Sequence, residues 1–184
     1  MSSIEIAMFT VLWVLALALL ILVVSLYRLV DKAYSGSGSA DLSSALPTGS
    51  VISEIDVLGP TGATRLDVST KARTLLVFAK SQCAGCESLV PALREFGGDA
   101  IVLLLEGERY PRHGSELPSN VAVAALAYPE DTSRELGVLS VPLVYALDEG
   151  NVMAVGSPTT KPGLDALLEA ASKERSSRSK QVTQ

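Results

Sequence analysis

The residues with the clearest chemical potential are two cysteines, Cys83 and Cys86, which only two residues separate. This spacing allows their side chains to close a disulfide without large strain. The pair follows a continuous apolar run, TLLVFA, and opens a segment with helical periodicity. At the N-terminus of a helix, partial positive charge stabilises the thiolate that attacks in thiol–disulfide exchange. The pattern predicts that Cys83 is the exposed nucleophile and that Cys86, more buried, resolves the mixed disulfide.

The composition excludes several other kinds of site. The 184-residue chain has one histidine and two cysteines, which cannot supply the four ligands of a Cys/His zinc site within one chain. No Walker or dinucleotide-binding motif is present, so neither a metal nor a cofactor is expected. A net charge of −5 argues against a nucleic-acid partner. The alternatives for the cysteines are half of an intermolecular zinc site and an inert structural disulfide.

A second motif lies far downstream, where Gly137–Pro142 (GVLSVP) precedes an apolar run. Proline is tolerated at the entry to a strand but not in its middle. Pro142 is also a candidate for a cis peptide bond, which would leave the backbone of Val141 free to pair with an extended substrate. We expect Val141 and Pro142 to contact the substrate together with Ala84 and Gly85, which lie between the cysteines.

The elements around these motifs alternate between strands and helices. The pattern predicts a mixed sheet with helices on both faces, hence an α/β fold. Pro91 is expected to kink the helix that carries the cysteines. The predicted strands are 51–58, 64–68, 74–79, 101–105, 121–126, 143–147 and 152–155, and the predicted helices are 86–96, 131–136 and one that Thr160 caps.

An apolar segment precedes this domain. Ala7–Tyr27 contains no charged residue and has the length of one transmembrane helix. A cleaved signal peptide is the alternative, but the segment is longer than an ordinary signal sequence and no basic residue precedes it. The predicted organisation is a membrane anchor over 1–32, a Gly/Ser-rich linker over 33–46, a folded domain over 47–172 and a disordered polar tail over 173–184.

Two arguments about the side of the membrane that the domain occupies oppose each other. Arg28 and Lys32 flank the C-terminal side of the apolar segment, and the positive-inside rule taken literally would place the domain in the cytoplasm. A dithiol oxidase, however, needs an oxidising compartment. The family resemblance given below implies the extracytoplasmic side, so we expect a single-pass protein of the cell membrane whose folded domain is extracytoplasmic.

The chain resembles the thioredoxin superfamily over most of residues 50–172. The resemblance rests on LLVFAKSQCAGCESLVPAL and LGVLSVPLVYALDEGNVMAVG. It implies a thioredoxin-like fold in which the proline of the second block, Pro142, is cis. It also implies that the backbone of Val141 contacts the substrate chain.

A narrower resemblance is to the methylamine utilisation protein D (MauD) and TlpA-like proteins, which are membrane-tethered thioredoxins. It rests on Leu-Trp-Val in the N-terminal segment, an arginine just after it, the Leu-Pro-Thr-Gly stretch and the cysteine motif followed by LVPAL. It implies an accessory role in forming the disulfides of the methylamine dehydrogenase small subunit, beside a polytopic membrane redox partner. A thiol reductant in cytochrome c maturation is the alternative within this class, and a non-catalytic assembly subunit of a membrane complex is another.

The sequence departs from typical thioredoxins at the cysteine motif. Gln82 replaces the tryptophan before the first cysteine, and Ala84-Gly85 replaces a pair that contains proline. The preceding strand carries no acid that could accept the proton of Cys86, so water or Glu87 would have to accept it. Lys80 is expected to stabilise a Cys83 thiolate and Glu87 to oppose it, which leaves the redox direction open.

Overall fold

The computed structural model describes residues 42–59, 61–81, 83–106 and 117–182, with side chains up to Arg178, and a few residues of the N-terminal segment. The chain divides into two compact units, Met1–Gly38 and Ser39–Gln184. Most of the predicted membrane segment 7–27 lies outside the described residues. Within the described part, no helix is both long enough and apolar enough to traverse a bilayer.

The second unit is built from seven strands and four helices within its described residues. The strands are β1 (Glu54–Gly59), β2 (Gly62–Asp67), β3 (Thr74–Lys80), β4 (Asp99–Glu106), β5 (Val121–Ala125), β6 (Leu143–Asp148) and β7 (Asn151–Gly156). The helices are α1 (Ala84–Glu87), α2 (Val90–Glu95), α3 (Pro129–Glu135) and α4 (Lys161–Val182). A single 3-10 turn, Leu42–Ser44, precedes β1.

Five strands form a mixed sheet in the order β5-β4-β3-β6-β7. Strands β3, β4 and β5 are parallel, whereas β6 pairs antiparallel with both β3 and β7. Val77 of the central strand lies between Val102 of β4 and Val144 of β6. Strands β1 and β2 form a separate antiparallel hairpin. The predicted mixed α/β sheet is therefore confirmed.

The central strand carries apolar residues on both faces of the sheet because alternate side chains point in opposite directions. On one face, Leu75 and Val77 belong to the core that α2 and α4 cover. On the other face, Leu76 and Phe78 pack with residues of the hairpin and with Leu136 at the end of α3. Each fully buried side chain of this kind stabilises the fold by roughly 1.5–3 kcal/mol. The two cores hold β3 in place, and β3 in turn positions the cysteines.

Tyr145 is fully buried in the centre of β6 and is tied to two distant backbone groups. Its hydroxyl donates to the carbonyl oxygen of Leu136 at 2.5 Å and accepts from the N–H of Leu46 at 3.1 Å. Burial raises the pKa of Tyr145 above its ordinary value of 10.0. Ala45 and Leu46 also pack against the core, so the predicted linker ends earlier than 46 and the domain begins before 47.

The helix predicted over 86–96 is interrupted. It consists of α1 and α2, with a turn at Ser88 and Leu89 between them. Pro91 occupies the first turn of α2, where its missing N–H costs no helical hydrogen bond. The predicted N-cap of the next helix, Asp131, is also wrong, because α3 begins earlier and its N-cap is Tyr128.

The prediction of a disordered tail from residue 173 is wrong over 173–182, where α4 continues. Arg175 Nε lies 2.7 Å from a carboxylate oxygen of Asp148, and Arg178 reaches the side-chain oxygen of Asn151 at 3.4 Å. A pair at i and i+4, Glu169–Lys173, adds local support at 2.8 Å. Polar contacts to the β6–β7 turn stabilise this part of the helix in place of an apolar stripe.

Candidate active site

The cysteine pair lies at the carboxyl end of β3. Cys83 is the N-cap residue of α1, and its backbone N–H donates to the carbonyl oxygen of Lys80 at 3.3 Å. The two cysteines form a disulfide with a Cα–Cα distance of 5.2 Å. The N–H of Cys86 donates to Cys83 Sγ at 3.1 Å. In the reduced protein the same N–H would stabilise negative charge on that sulfur.

The two sulfur-bearing residues differ in exposure. Cys86 is fully buried and belongs to the core beneath α2 and α4, whereas Cys83 is only partly buried. An incoming thiolate can therefore approach Cys83 from solvent, while the protein itself covers Cys86. The exposures agree with the sequence-based expectation, and the attacking role of Cys83 and the resolving role of Cys86 stay predictions.

The fold brings the second sequence motif to the cysteines. The carbonyl oxygen of Val141 lies 3.8 Å from Cys83 Sγ, although 58 residues separate them along the chain. The Val141–Pro142 peptide bond is cis. Val141 is half-buried and Pro142 is buried. All four predicted substrate-contact residues thus lie in one place, and their role in binding stays a prediction.

A third segment, Ser157–Thr159, completes the site, and sequence reasoning missed it. The Ser157 hydroxyl donates to the carbonyl oxygen of Pro142 at 2.5 Å. The Ser88 hydroxyl lies within hydrogen-bonding distance of the carbonyl oxygen of Gly85, at 2.7 Å, and also of the carbonyl oxygen of Thr159. Two serine hydroxyls therefore link the cysteine turn, the proline turn and the loop between β7 and α4.

The neighbours of Gly85 leave little room for a side chain at this position. A Cβ atom at this position would lie 3.1 Å from Cγ2 of Thr159 and 3.3 Å from Cδ of Pro142. Both distances are shorter than ordinary van der Waals separations between carbon atoms. The loop after β7 and the cis proline together leave space for glycine between the cysteines.

The charges around the cysteines differ in part from the expectation. Lys80 forms an ion pair with Glu106, with Nζ 2.9 Å from Oε1. The positive charge of Lys80 is therefore partly compensated, and its expected effect on a Cys83 thiolate stays a prediction. Among the described residues, no acidic side chain is buried, so no buried acid lies beneath Cys86 in this part of the structure.

Comparisons with solved structures show the fold. A protein named as a thiol:disulfide interchange protein DsbE, from Chlorobium tepidum, is 22% identical and superimposes with a TM-score of 0.55, covering 69% of this chain and 99% of that one. A thioredoxin-like protein from Bacteroides caccae is 14% identical with a TM-score of 0.52, covering 78% of this chain and 55% of that one. The chain has a thioredoxin-like fold.

Neither a protein-family model nor a curated protein sequence matches this chain. The site combines a disulfide at a helix start, one partly exposed and one buried cysteine, and a cis proline beside them. The prediction of a thioredoxin-like fold is confirmed, and the redox roles of the two cysteines stay a prediction.

Proposed function

We propose that this protein is a membrane-tethered thiol–disulfide oxidoreductase that acts on a cysteine-containing extracytoplasmic protein. The observation that carries the proposal is the asymmetry between the two cysteines, because Cys83 is partly exposed beside Val141 and Cys86 is buried. The apolar segment 7–27 in the sequence supports the tether.

The exchange proceeds through Cys83 and conserves atoms and electrons. A substrate thiolate attacks Cys83 Sγ, a bond between these two sulfurs forms, and the Cys83–Cys86 bond breaks to release Cys86 as a thiolate. A second substrate thiolate then attacks the substrate sulfur of the mixed disulfide, and Cys83 leaves as a thiolate. The substrate loses two electrons and the protein gains them. The reverse sequence reduces a substrate disulfide.

The backbone at Val141 is suited to hold the substrate during this exchange. Its carbonyl oxygen lies beside Cys83 Sγ, so an extended peptide whose cysteine reaches Cys83 could pair with the backbone there. Val141, Pro142, Ala84 and Gly85 form the proposed substrate-binding surface. The Ser157 hydroxyl, which holds the carbonyl oxygen of Pro142, keeps this surface in position.

We assign the small subunit of methylamine dehydrogenase as the proposed substrate, and a polytopic membrane protein as the proposed redox partner. Both assignments derive from the resemblance to the methylamine utilisation proteins. An apocytochrome c is the alternative substrate. Co-purification of trapped complexes distinguishes the two, because the bound protein is identified by its mass.

The trapping experiment uses the full chain in membranes. In Cys86→Ser, the Cys83 thiolate attacks a substrate disulfide and the mixed disulfide that forms lacks the Cys86 thiol that would resolve it, so a covalent complex with the substrate accumulates. Cys83→Ser is the matched control, and we expect no complex from it. Equal recovery of complexes from both variants, or none from Cys86→Ser, would reject the proposal.

The orientation is tested separately by reporters fused after Gln184. An extracytoplasmic domain gives an active alkaline phosphatase fusion and a non-fluorescent green fluorescent protein fusion. The opposite pair of results would place the domain in the cytoplasm and reject the proposed location.

A second candidate function is that of a non-catalytic assembly subunit with an inert disulfide. The lack of a buried acid near Cys86 among the described residues favours it, because no buried carboxylate there accepts the proton of the resolving thiol. The reduction potential distinguishes the two functions. A structural disulfide has a potential below about −300 mV, whereas an exchanging pair has a higher one.

A further inference from the structure

The peptide group between Gly85 and Cys86 has a hydrogen-bond partner on each side. Its N–H, which belongs to Cys86, donates to Cys83 Sγ at 3.1 Å. Its carbonyl oxygen, which belongs to Gly85, lies 2.7 Å from the Ser88 hydroxyl. The N–H and C=O of a trans peptide group point in opposite directions. A chain of two hydrogen bonds therefore runs from Ser88 through this peptide group to the sulfur.

Hydrogen bonds in such a chain strengthen each other. A donor on the carbonyl oxygen draws electron density away from the peptide nitrogen, so the N–H becomes a better donor. The gain is larger when the acceptor is an anion, because hydrogen bonds to charged groups are stronger than those to neutral groups. The Ser88 hydroxyl therefore stabilises a Cys83 thiolate more than it stabilises the same sulfur in the disulfide.

The Ser88 hydroxyl has a second acceptor within reach, the carbonyl oxygen of Thr159. A hydroxyl carries one hydrogen, so it donates to one of the two carbonyl oxygens at a time. Negative charge on Cys83 Sγ favours donation to Gly85, because that hydrogen bond belongs to the chain that ends at the sulfur. Gly85 is half-buried, and a Cβ there would lie 3.1 Å from Thr159 and 3.3 Å from Pro142, which leaves little space for water on that side of the turn.

We propose that Ser88 is a positioning residue whose hydroxyl orients and polarises the Gly85–Cys86 peptide group, so that its N–H stabilises the Cys83 thiolate. This role rests on the proposed function, in which Cys83 leaves the mixed disulfide as a thiolate while the two substrate sulfurs bond to each other. A more stable thiolate is a better leaving group. It also shifts the exchange equilibrium toward the reduced protein, and hence toward oxidation of the substrate.

Substitution of Ser88 changes no charge at the site, because serine is neutral. The charged side chains on the elements that border the cysteine turn are Lys80, Glu87, Glu95, Glu106 and Lys161. Lys80 is paired with Glu106 at 2.9 Å, and Lys161 is paired with Glu95. All five stay in place in Ser88→Ala, so a change in the stability of the thiolate in this variant reports the lost hydroxyl.

The test measures the ratio of reduced to disulfide-bonded protein when the full chain in lipid nanodiscs equilibrates with a glutathione redox buffer. Ser88→Ala should lower this ratio about two- to fourfold, because the thiolate loses part of its stabilisation. A loss of stability common to both forms does not change the ratio. Ser88→Thr keeps a hydroxyl and should restore it. Ser172→Ala is the matched control, because the exposed Ser172 also bonds the carbonyl oxygen three residues earlier, at 2.8 Å, but on α4. It should leave the ratio unchanged.

A second measurement uses the Cys86→Ser background, in which Cys83 is the single cysteine. The rate of alkylation by iodoacetamide rises with pH as the thiolate forms. Ser88→Ala should move the midpoint of this rise upward by about 0.3–0.6 on the pH scale, which corresponds to the same two- to fourfold change. A wild-type value for Ser88→Ala in either measurement, while the wild-type chain exchanges with glutathione, would overturn the role of Ser88 alone. A wild-type chain that does not exchange with glutathione would overturn the proposed function, and the role of Ser88 with it.

Discussion

The two ends of β3 differ in how their polar groups are satisfied. At the carboxyl end, the carbonyl oxygens of Gly85 and Pro142 each have a serine hydroxyl within hydrogen-bonding distance. At the amino end, the buried Thr74 hydroxyl has no hydrogen-bond partner within the described part of the chain.

The polar groups at the two ends of β3 are therefore held to different degrees. The carboxyl end is fixed in advance, as exchange chemistry requires of the groups that surround the reacting sulfur. The amino end retains a buried hydroxyl whose hydrogen-bonding capacity is unused. Removing a hydroxyl should therefore have opposite effects on stability at the two ends.

The largest expected effect is at a fully satisfied hydroxyl in the core. Tyr145→Phe removes the donor to Leu136 and the acceptor for Leu46. Because both backbone groups lose their partner, we expect the free energy of unfolding to fall by about 1–3 kcal/mol. Urea denaturation measures this. No change would show that these two hydrogen bonds do not stabilise the fold.

Ionisation of Tyr145 should make the free energy of unfolding depend on pH. Burial raises the pKa of Tyr145 in the folded protein above 10.0, so the unfolded chain ionises first as the pH rises. Its contribution to stability is fully present below pH 10 and is lost progressively above it. The difference in unfolding free energy between wild type and Tyr145→Phe should therefore shrink above pH 10. A difference that grows with pH would contradict a raised pKa of Tyr145 in the folded protein.

The next largest effect is a gain in stability at the amino end of β3. Thr74→Val replaces an unpartnered buried hydroxyl by a methyl group of similar shape. We expect the free energy of unfolding to rise by about 1 kcal/mol. Thr74→Ser, which keeps the hydroxyl, is the control and should not stabilise. A fall in stability for Thr74→Val would show that the hydroxyl is satisfied.

A smaller effect is expected from Ser157→Ala at the carboxyl end. This variant removes one hydrogen bond, to the carbonyl oxygen of Pro142, and should lower the free energy of unfolding by about 0.5–1.5 kcal/mol. Because Pro142 borders the cysteines, the rate of disulfide exchange should fall as well. Ser157→Thr keeps the hydroxyl and should restore the rate. Stability loss with an unchanged rate would contradict a positioning role.

The sequence predicts the sheet well because its signals are local. The continuous apolar run 74–79 marks a strand buried on both faces, and the structure places β3 at the centre of the sheet. The cysteine motif and the Val141–Pro142 motif are each recognisable from a few adjacent residues. Their proximity was predictable through the resemblance to thioredoxins.

Other features depend on contacts between distant segments and could not be predicted from local pattern. The hydroxyl of Ser88 meets the backbone of Thr159, 71 residues away. The continuation of α4 beyond residue 172 relies on Arg175 and Asp148, which belong to different elements. A polar segment without apolar periodicity gives no helical signal when its stabilising partners lie elsewhere in the chain.

The central claim, that Cys83 is the accessible sulfur of an exchanging pair, is tested directly by alkylation of the reduced full chain. A limiting amount of iodoacetamide is added at neutral pH, and peptide mass spectrometry measures the label on each cysteine. Because Cys83 is partly exposed and Cys86 is 0% exposed, the label should fall almost entirely on Cys83. Equal labelling, or labelling mainly of Cys86, would contradict the account.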